Sequence, residues 1–209
     1  MNAQAAVAQQ QPANMMVEPP FLRENWKKVL ASATREDLRV VRVTGRVASV
    51  TNSSILLRCP VDMPDGFYHV SNQNELFPTK AFGWMTYPDV EQVRPSFEAM
   101  KPLSLIARDA TTAFITLCDA ARAVHADILV DGRGMCFVQN SAHHVQCPLG
   151  VSGEGLIFNA SHLKLALVEA LRYDSVYLWK EERLDFSATP LVFGHNWGCC
   201  SLIQARTVY

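Results

Sequence analysis

Two short clusters hold the residues best suited to chemistry. His143, His144 and Cys147 lie close together, and so do His195, Cys199 and Cys200. Imidazole and thiolate are zinc ligands, and about four of them held tetrahedrally would complete a site if the clusters met. Their spacings match no familiar zinc ligand pair, and the chain has no Cys-x-x-Cys. Trp197-Gly198-Cys199-Cys200 also leads into an apolar strand, where cysteine serves as packing. A Cys/His nucleophile pair would need an oriented base and an oxyanion site, and nothing in the sequence supplies them. The expectation is a protein that is not an enzyme, with no catalytic residues, no metal and no cofactor.

Composition narrows the alternatives. The chain has 209 residues, of which 49% are hydrophobic and 19% charged, enough to bury a real core. A net charge of −1 gives no global field for nucleic acid or an anionic membrane, so any such binding needs local charge segregation. No apolar run approaches the roughly 18–20 residues that span a bilayer, so no membrane is expected. The segment 1–20, with its Gln9-Gln10-Gln11-Pro12 tract and Pro19-Pro20, reads as a disordered tail. It lacks the basic start and apolar stretch of a secretory signal, so a cytoplasmic location is expected. The six scattered cysteines fit that, as reduced, buried small hydrophobes.

Three units of similar pattern follow the tail. In the first, Leu22, Trp26, Val29, Leu30 and Ala33 recur at helical spacing, leaving Arg23, Lys27 and Lys28 off the stripe. Strands are expected at Leu38–Val43, Arg46–Val50 and Ile55–Arg58, broken by turns at Thr44-Gly45 and Asn52-Ser53-Ser54. Pro60 to Phe67 reads as a turn-rich connection, and Ser71 to Met85 has few periodic signals. Tyr87 to Pro95, bounded by prolines, reads as an extended connector and a domain boundary.

The second unit opens with a strand at Leu103–Ala107 and a helix capped by Asp109 or Thr111. Phe114, Leu117, Cys118, Ala121 and Val124 form its stripe, with Arg122 off it. Strands at Asp127–Val130, Met135–Val138 and His144–Cys147 follow, the first two joined by an Asp131–Gly134 hairpin. His125, at the helix end, reads as a surface residue or a partner of the helix terminus.

The third unit has a strand at Leu156–Phe158 and a helix capped by Asn159 or Ser161. Its stripe is Leu163, Ala166, Leu167, Ala170 and Leu171, with Lys164 and Arg172 off it. Strands at Ser175–Trp179, Leu184–Phe186, Leu191–Phe193 and Ser201–Arg206 complete it. The fold class expected is α+β, built of repeated strand–helix–strands units with helices on one face of antiparallel sheets.

These residues resemble the bacterial DNA polymerase III beta sliding clamp. Phe158-Asn159 and the helix after it look like the clamp's phenylalanine–asparagine strand end. Pro190-Leu191-Val192-Phe193 is similar to the proline-led strand late in its last domain, and Leu202 to Arg206 takes the place of its closing strand. Tyr87-Pro88-Asp89 to Pro95 looks like the connector into that domain, and Gly45 to Asn52 is a weaker echo.

The resemblance implies a clamp-like domain over 21–95 with its connector, and a second over 96–209. It implies a ring that encloses double-stranded DNA without sequence preference and tethers a DNA polymerase, put in place by a clamp loader. Arg23, Lys27, Lys28, Arg122, Lys164 and Arg172 would face the phosphates. Glu24, Asp119 and Glu169 dilute that positive face. A partner pocket would involve Pro190, Leu191, Val192, Gln204, Ala205 and Arg206, although Gln204-Ala205 stands where the family carries Met-Pro. Three units per chain, or four if Ser71–Met85 holds a degenerate one, imply a homo-oligomer of four or three chains, and the short chain suggests a phage-encoded variant. The alternative is a clamp-like adaptor or decoy that binds protein partners without encircling DNA.

Overall fold

The computed structural model describes residues 24–71, 76–79, 87–91, 100–105, 108–131, 135–139, 144–146, 156–171, 177–181, 190–196, 199–204 and 206–207. Arg23, Arg172, Ala205 and the strand expected at Leu184–Phe186 lie outside the described residues.

The chain begins with α1 (Glu24–Ser32) and a 3-10 turn at Glu36–Leu38. Five strands follow: β1 (Val41–Thr44), β2 (Val47–Thr51), β3 (Ile55–Pro60), β4 (Gly66–Val70) and β5 (Leu76–Thr79). Next come β6 (Met100–Leu105), α2 (Arg108–Ala123), β7 (Ile128–Val130), β8 (Met135–Val138) and β9 (His144–Gln146). The last stretch is β10 (Leu156–Phe158), α3 (Ala160–Ala170), β11 (Tyr177–Glu181), β12 (Pro190–Asn196), β13 (Cys199–Gln204) and β14 (Arg206–Thr207). The protein is α+β, and every described strand pairing is antiparallel.

Turn chemistry sets the first hairpins. Gly45 and Arg46 both have positive φ, 57° and 63°, and Thr44 faces Val47, which makes a two-residue type I′ turn matched to strand twist. Between β2 and β3, the Asn52 Oδ1 accepts from the backbone N–H of Ser54 and Ile55, both at 3.0 Å.

Alternation then sorts the side chains. Val41, Val43, Ala48, Val50, Ile55, Leu57 and Cys59 point to one face and join Trp26, Val29 and Leu30 of α1 in the main core. Phe114, Leu117, Cys118 and Ala121 of α2 and Leu163, Ala166 and Leu167 of α3 enter the same core. Full burial of side chains such as Trp26, Phe114 and Phe158 contributes about 1.5–3 kcal/mol each. Residues Cys59, Cys118 and Cys136 sit in this core as small apolar groups.

Two sheets carry the strands. One has nine strands in the order β5-β4-β1-β2-β3-β13-β12-β11-β6, and the other has five in the order β14-β10-β7-β8-β9. The strand ahead of α2, β6, pairs with β11, which follows α3. Reciprocally, the strand ahead of α3, β10, pairs with β7, which follows α2. Each helix is thus preceded by a strand in one sheet and followed by strands in the other. The two helices pack against each other between these crossings.

Several local expectations change. Leu38 belongs to the 3-10 turn rather than a strand, because Arg35 pairs with Asp37 and Leu38 is buried beneath the connector. The Pro60–Phe67 connection ends in a strand, β4, and β5 lies within Ser71–Met85. Both extend the first sheet beside β1. Asp109 and Thr111 lie inside α2, so neither is its cap. Val124 falls beyond the helix end and is 64% exposed, so it leaves the stripe. Asn159, of the two caps considered for α3, takes the role: its Oδ1 accepts from the N–H of Ser161 and His162, each at 3.1 Å.

Candidate nucleic-acid interface

The helix layer is assembled by contacts that tie α1 to α3 and α3 to α2. The Asn25 side-chain amide donates to Glu169 Oε1 at 2.9 Å. At the other end of α3, Asn52 Nδ2 lies 3.2 Å from His162 Nε2 and donates to Ser32 Oγ at 2.7 Å. These contacts link α1 and the β2–β3 turn to α3, and apolar residues of all three helices share one core.

Small residues dominate the exposed side of α2: Thr112, Ala113, Thr116, Ala120 and Ala123, with Asp119 and Arg122 among them. On α1, Lys28 is exposed and Lys27 half-buried. Lys164 is half-buried on α3. Three of these four cations engage carboxylates. Lys28 Nζ lies 3.5 Å from Glu24 Oε1 on the same helix. Lys164 Nζ lies 2.6 and 2.7 Å from the two oxygens of Asp119, and Arg122 Nη1 lies 3.2 Å from Oδ1 of the same group. Hydrogen bonding from Lys164 above all, with the Lys164 charge and the weaker contribution of Arg122, holds the Asp119 carboxyl below its ordinary range, against the opposing effect of desolvation.

Of the basic residues expected to face phosphate, the structure therefore brings Arg122 and Lys164 together across two helices. Lys27 and Lys28 stand on α1, and Arg23 and Arg172 lie outside the described residues. Asp119 reads from sequence only as a diluting charge; its bridging position follows from the packing of α2 on α3, which helical spacing within one segment does not encode.

The opposite face of the first sheet holds the connector. Tyr87 and Val90 pack with Leu38, Val40, Leu56 and Ala33, and the Tyr87 hydroxyl reaches Ser49 O at 3.4 Å. The Arg42 guanidinium stands 5.6 Å from the centre of the Tyr87 ring and donates to Pro88 O at 3.2 Å. Buried Arg58 donates to Glu91 at 2.9 Å. Burial pushes the Tyr87 phenol well above its ordinary value, opposed by the nearby Arg42 and Arg58 charges and assisted by Asp37. Arg58 was the available sequence signal, a cation in the middle of an otherwise apolar strand.

The other candidate residues divide between sheets. Pro190, Leu191 and Val192 stand opposite Gln204, Ile203 and Leu202 on neighbouring strands, whereas Arg206 pairs with Ile157 in the five-stranded sheet. Of the histidine and cysteine clusters, His144 lies on β9 of the five-stranded sheet, and His195, Cys199 and Cys200 lie on β12 and β13 of the other. His143 and Cys147 lie outside the described residues. Among the described residues no group of three or more His, Cys, Asp or Glu could hold a metal ion. No described helix is long and apolar enough to cross a membrane. No family model matches the chain, and no curated protein matches its sequence.

Proposed function

We propose that this protein is the subunit of a sliding clamp: a ring of several copies that encloses duplex DNA and tethers a DNA enzyme such as a polymerase. The observation that carries the reading is the reciprocal exchange of β6 and β10 between the sheets that flank α2 and α3. That exchange makes two strand–helix–strands units into one two-unit body, with the helices gathered and the sheets behind them. The N-terminal unit extends the same architecture, because β3 pairs with β13 and α1 joins the helix layer. A wide helix surface with few charges and many small side chains suits loose, register-free contact with phosphates.

Three units per chain fit a ring of four copies, following the twelve-unit rings of the clamps it resembles. The native mass in solution should then be four times the 23.3 kDa chain. A strictly monomeric protein at micromolar concentration would sink the ring. Retention on closed circular DNA with release on linearisation would separate encirclement from surface binding.

The pairing of Lys28, Arg122 and Lys164 with carboxylates favours a second reading, an adaptor with the same fold that recruits proteins and leaves DNA alone. Reversing the charge of Lys27, Lys28, Arg122 and Lys164 together discriminates the two. Loss of DNA association supports the clamp, and unchanged activity supports the adaptor.

A further inference from the structure

Arg122 and Lys164 come from different helices and converge on one carboxylate. Asp119 takes Lys164 on both oxygens, at 2.6 and 2.7 Å, and Arg122 on one, at 3.2 Å. The side chain of Asp119 is about half exposed, 47%, and that of Arg122 is 48% exposed. The triad therefore lies open at the surface between α2 and α3. Among the described side chains of α2, Asp119 and Arg122 are the only charges on the exposed side.

We infer that Asp119 is an electrostatic brake on the helix layer: it occupies Arg122 and Lys164, so that a passing phosphate must compete for them. The inference rests on the reading of this layer as the DNA face. A lysine or arginine that reaches phosphate without an intramolecular partner neutralises a full backbone charge and releases condensed counterions. One already held by a fixed carboxylate must exchange partners. The gain on contact is then only the difference between two exposed ion pairs, each of them weak. Contacts of that kind are made and broken readily as a duplex moves past, and none of them holds the protein in one register. Full removal of the two cations would instead take their attraction for phosphate away. Asp119 keeps the positive groups in place at the surface and lowers their hold on phosphate.

The test uses the full-length protein and a mixed-sequence duplex of about thirty base pairs, with binding read by fluorescence anisotropy between 50 and 200 mM salt. Asp119→Asn frees both cations while keeping the side chain's size. It should bind several-fold more tightly at the low-salt end. The slope of log affinity against log salt should steepen by about one to two, at roughly 0.9 for each cation released to phosphate. Adding Lys164→Gln and Arg122→Gln to that variant should return the slope to the wild-type value or below. If Asp119→Asn unfolds, Asp119→Ser serves in its place. Equal affinity and slope in wild type and variant would overturn the brake while leaving the DNA reading intact. Failure of both proteins to bind duplex at any salt would overturn the DNA reading, and the brake with it.

Discussion

The side-chain amide of Asn25 donates to Glu169 Oε1 at 2.9 Å, joining the first helix to the third across 144 positions of chain. Glu169 is 5% exposed, so its partner is made within the protein rather than in water. Truncating Glu169→Ala strands a partly buried amide and should cost about 1–3 kcal/mol. Glu169→Gln, which keeps an accepting oxygen, should cost less. The decisive measurement is a double-mutant cycle with Asn25→Ala in urea unfolding. A coupling of about 1 kcal/mol is expected, and strictly additive losses would remove this contact from the list of ties between α1 and α3.

Tyr87 anchors the connector on the outer face of the first sheet, between Phe67, Leu38, Leu56 and Val90. Tyr87→Ala should destabilise by about 3 kcal/mol through the lost aromatic volume. Tyr87→Phe should cost about 1 kcal/mol or less, since the hydroxyl bond to Ser49 is long at 3.4 Å. The phenol also predicts an alkaline limit. Its folded-state pKa is raised above 10.0, so the unfolded chain releases its proton first. The Tyr87 contribution is therefore whole below pH 10 and falls away as pH rises toward the folded value. Thermal melts from pH 8 upward should show a shallower decline for Tyr87→Phe. Some decline will persist, because burial and Asp65 also raise Tyr68. Parallel curves for wild type and Tyr87→Phe would refute the assignment.

The ends of α2 and α3 offer a matched pair of changes with opposite signs. His125 holds the left-handed conformation, φ 53°, in a Schellman ending: Ala126 N donates to Ala121 O at 2.9 Å and His125 N to Arg122 O at 3.2 Å. That position favours glycine, so exposed His125→Gly should stabilise by about 0.5–1 kcal/mol. Asn159 caps α3 through two backbone N–H groups, so Asn159→Ala should cost about 1 kcal/mol. Both shifts are readable as changes in urea midpoint at constant slope. Destabilisation by glycine at 125 would show that the imidazole contributes more than its backbone strain removes.

Much of this architecture is legible in short windows of sequence. The stripe Trp26, Val29, Leu30 places α1, and Leu163, Ala166, Leu167 places α3; Ala33, expected on the same stripe, lies past the helix end and packs instead with Leu38 and Tyr87. Asn159 marks a helix start, and Asp131 with the glycines after it marks a hairpin, whose strands pair as expected. These features are local: side-chain periodicity and turn chemistry act over one or two turns of chain. The strands β4 and β5 escape such reading because Gly66, Pro64 and Pro78 interrupt the alternation that would reveal them. What makes them strands is the exposed edge of β1, which β4 covers and β5 then extends.

By itself, then, the sequence determined an α+β chain with three amphipathic helices, short strands between them and a proline-bounded connector. Only the tertiary structure decided that β6 and β10 trade sheets, that Tyr87 closes one face of the first sheet, and that Asp119 stands between Arg122 and Lys164. The physical reason is the same in each case. Strand edges, buried aromatics and opposed charges find partners by the surface or the charge that remains uncovered after local elements form, and those partners lie far away in the chain.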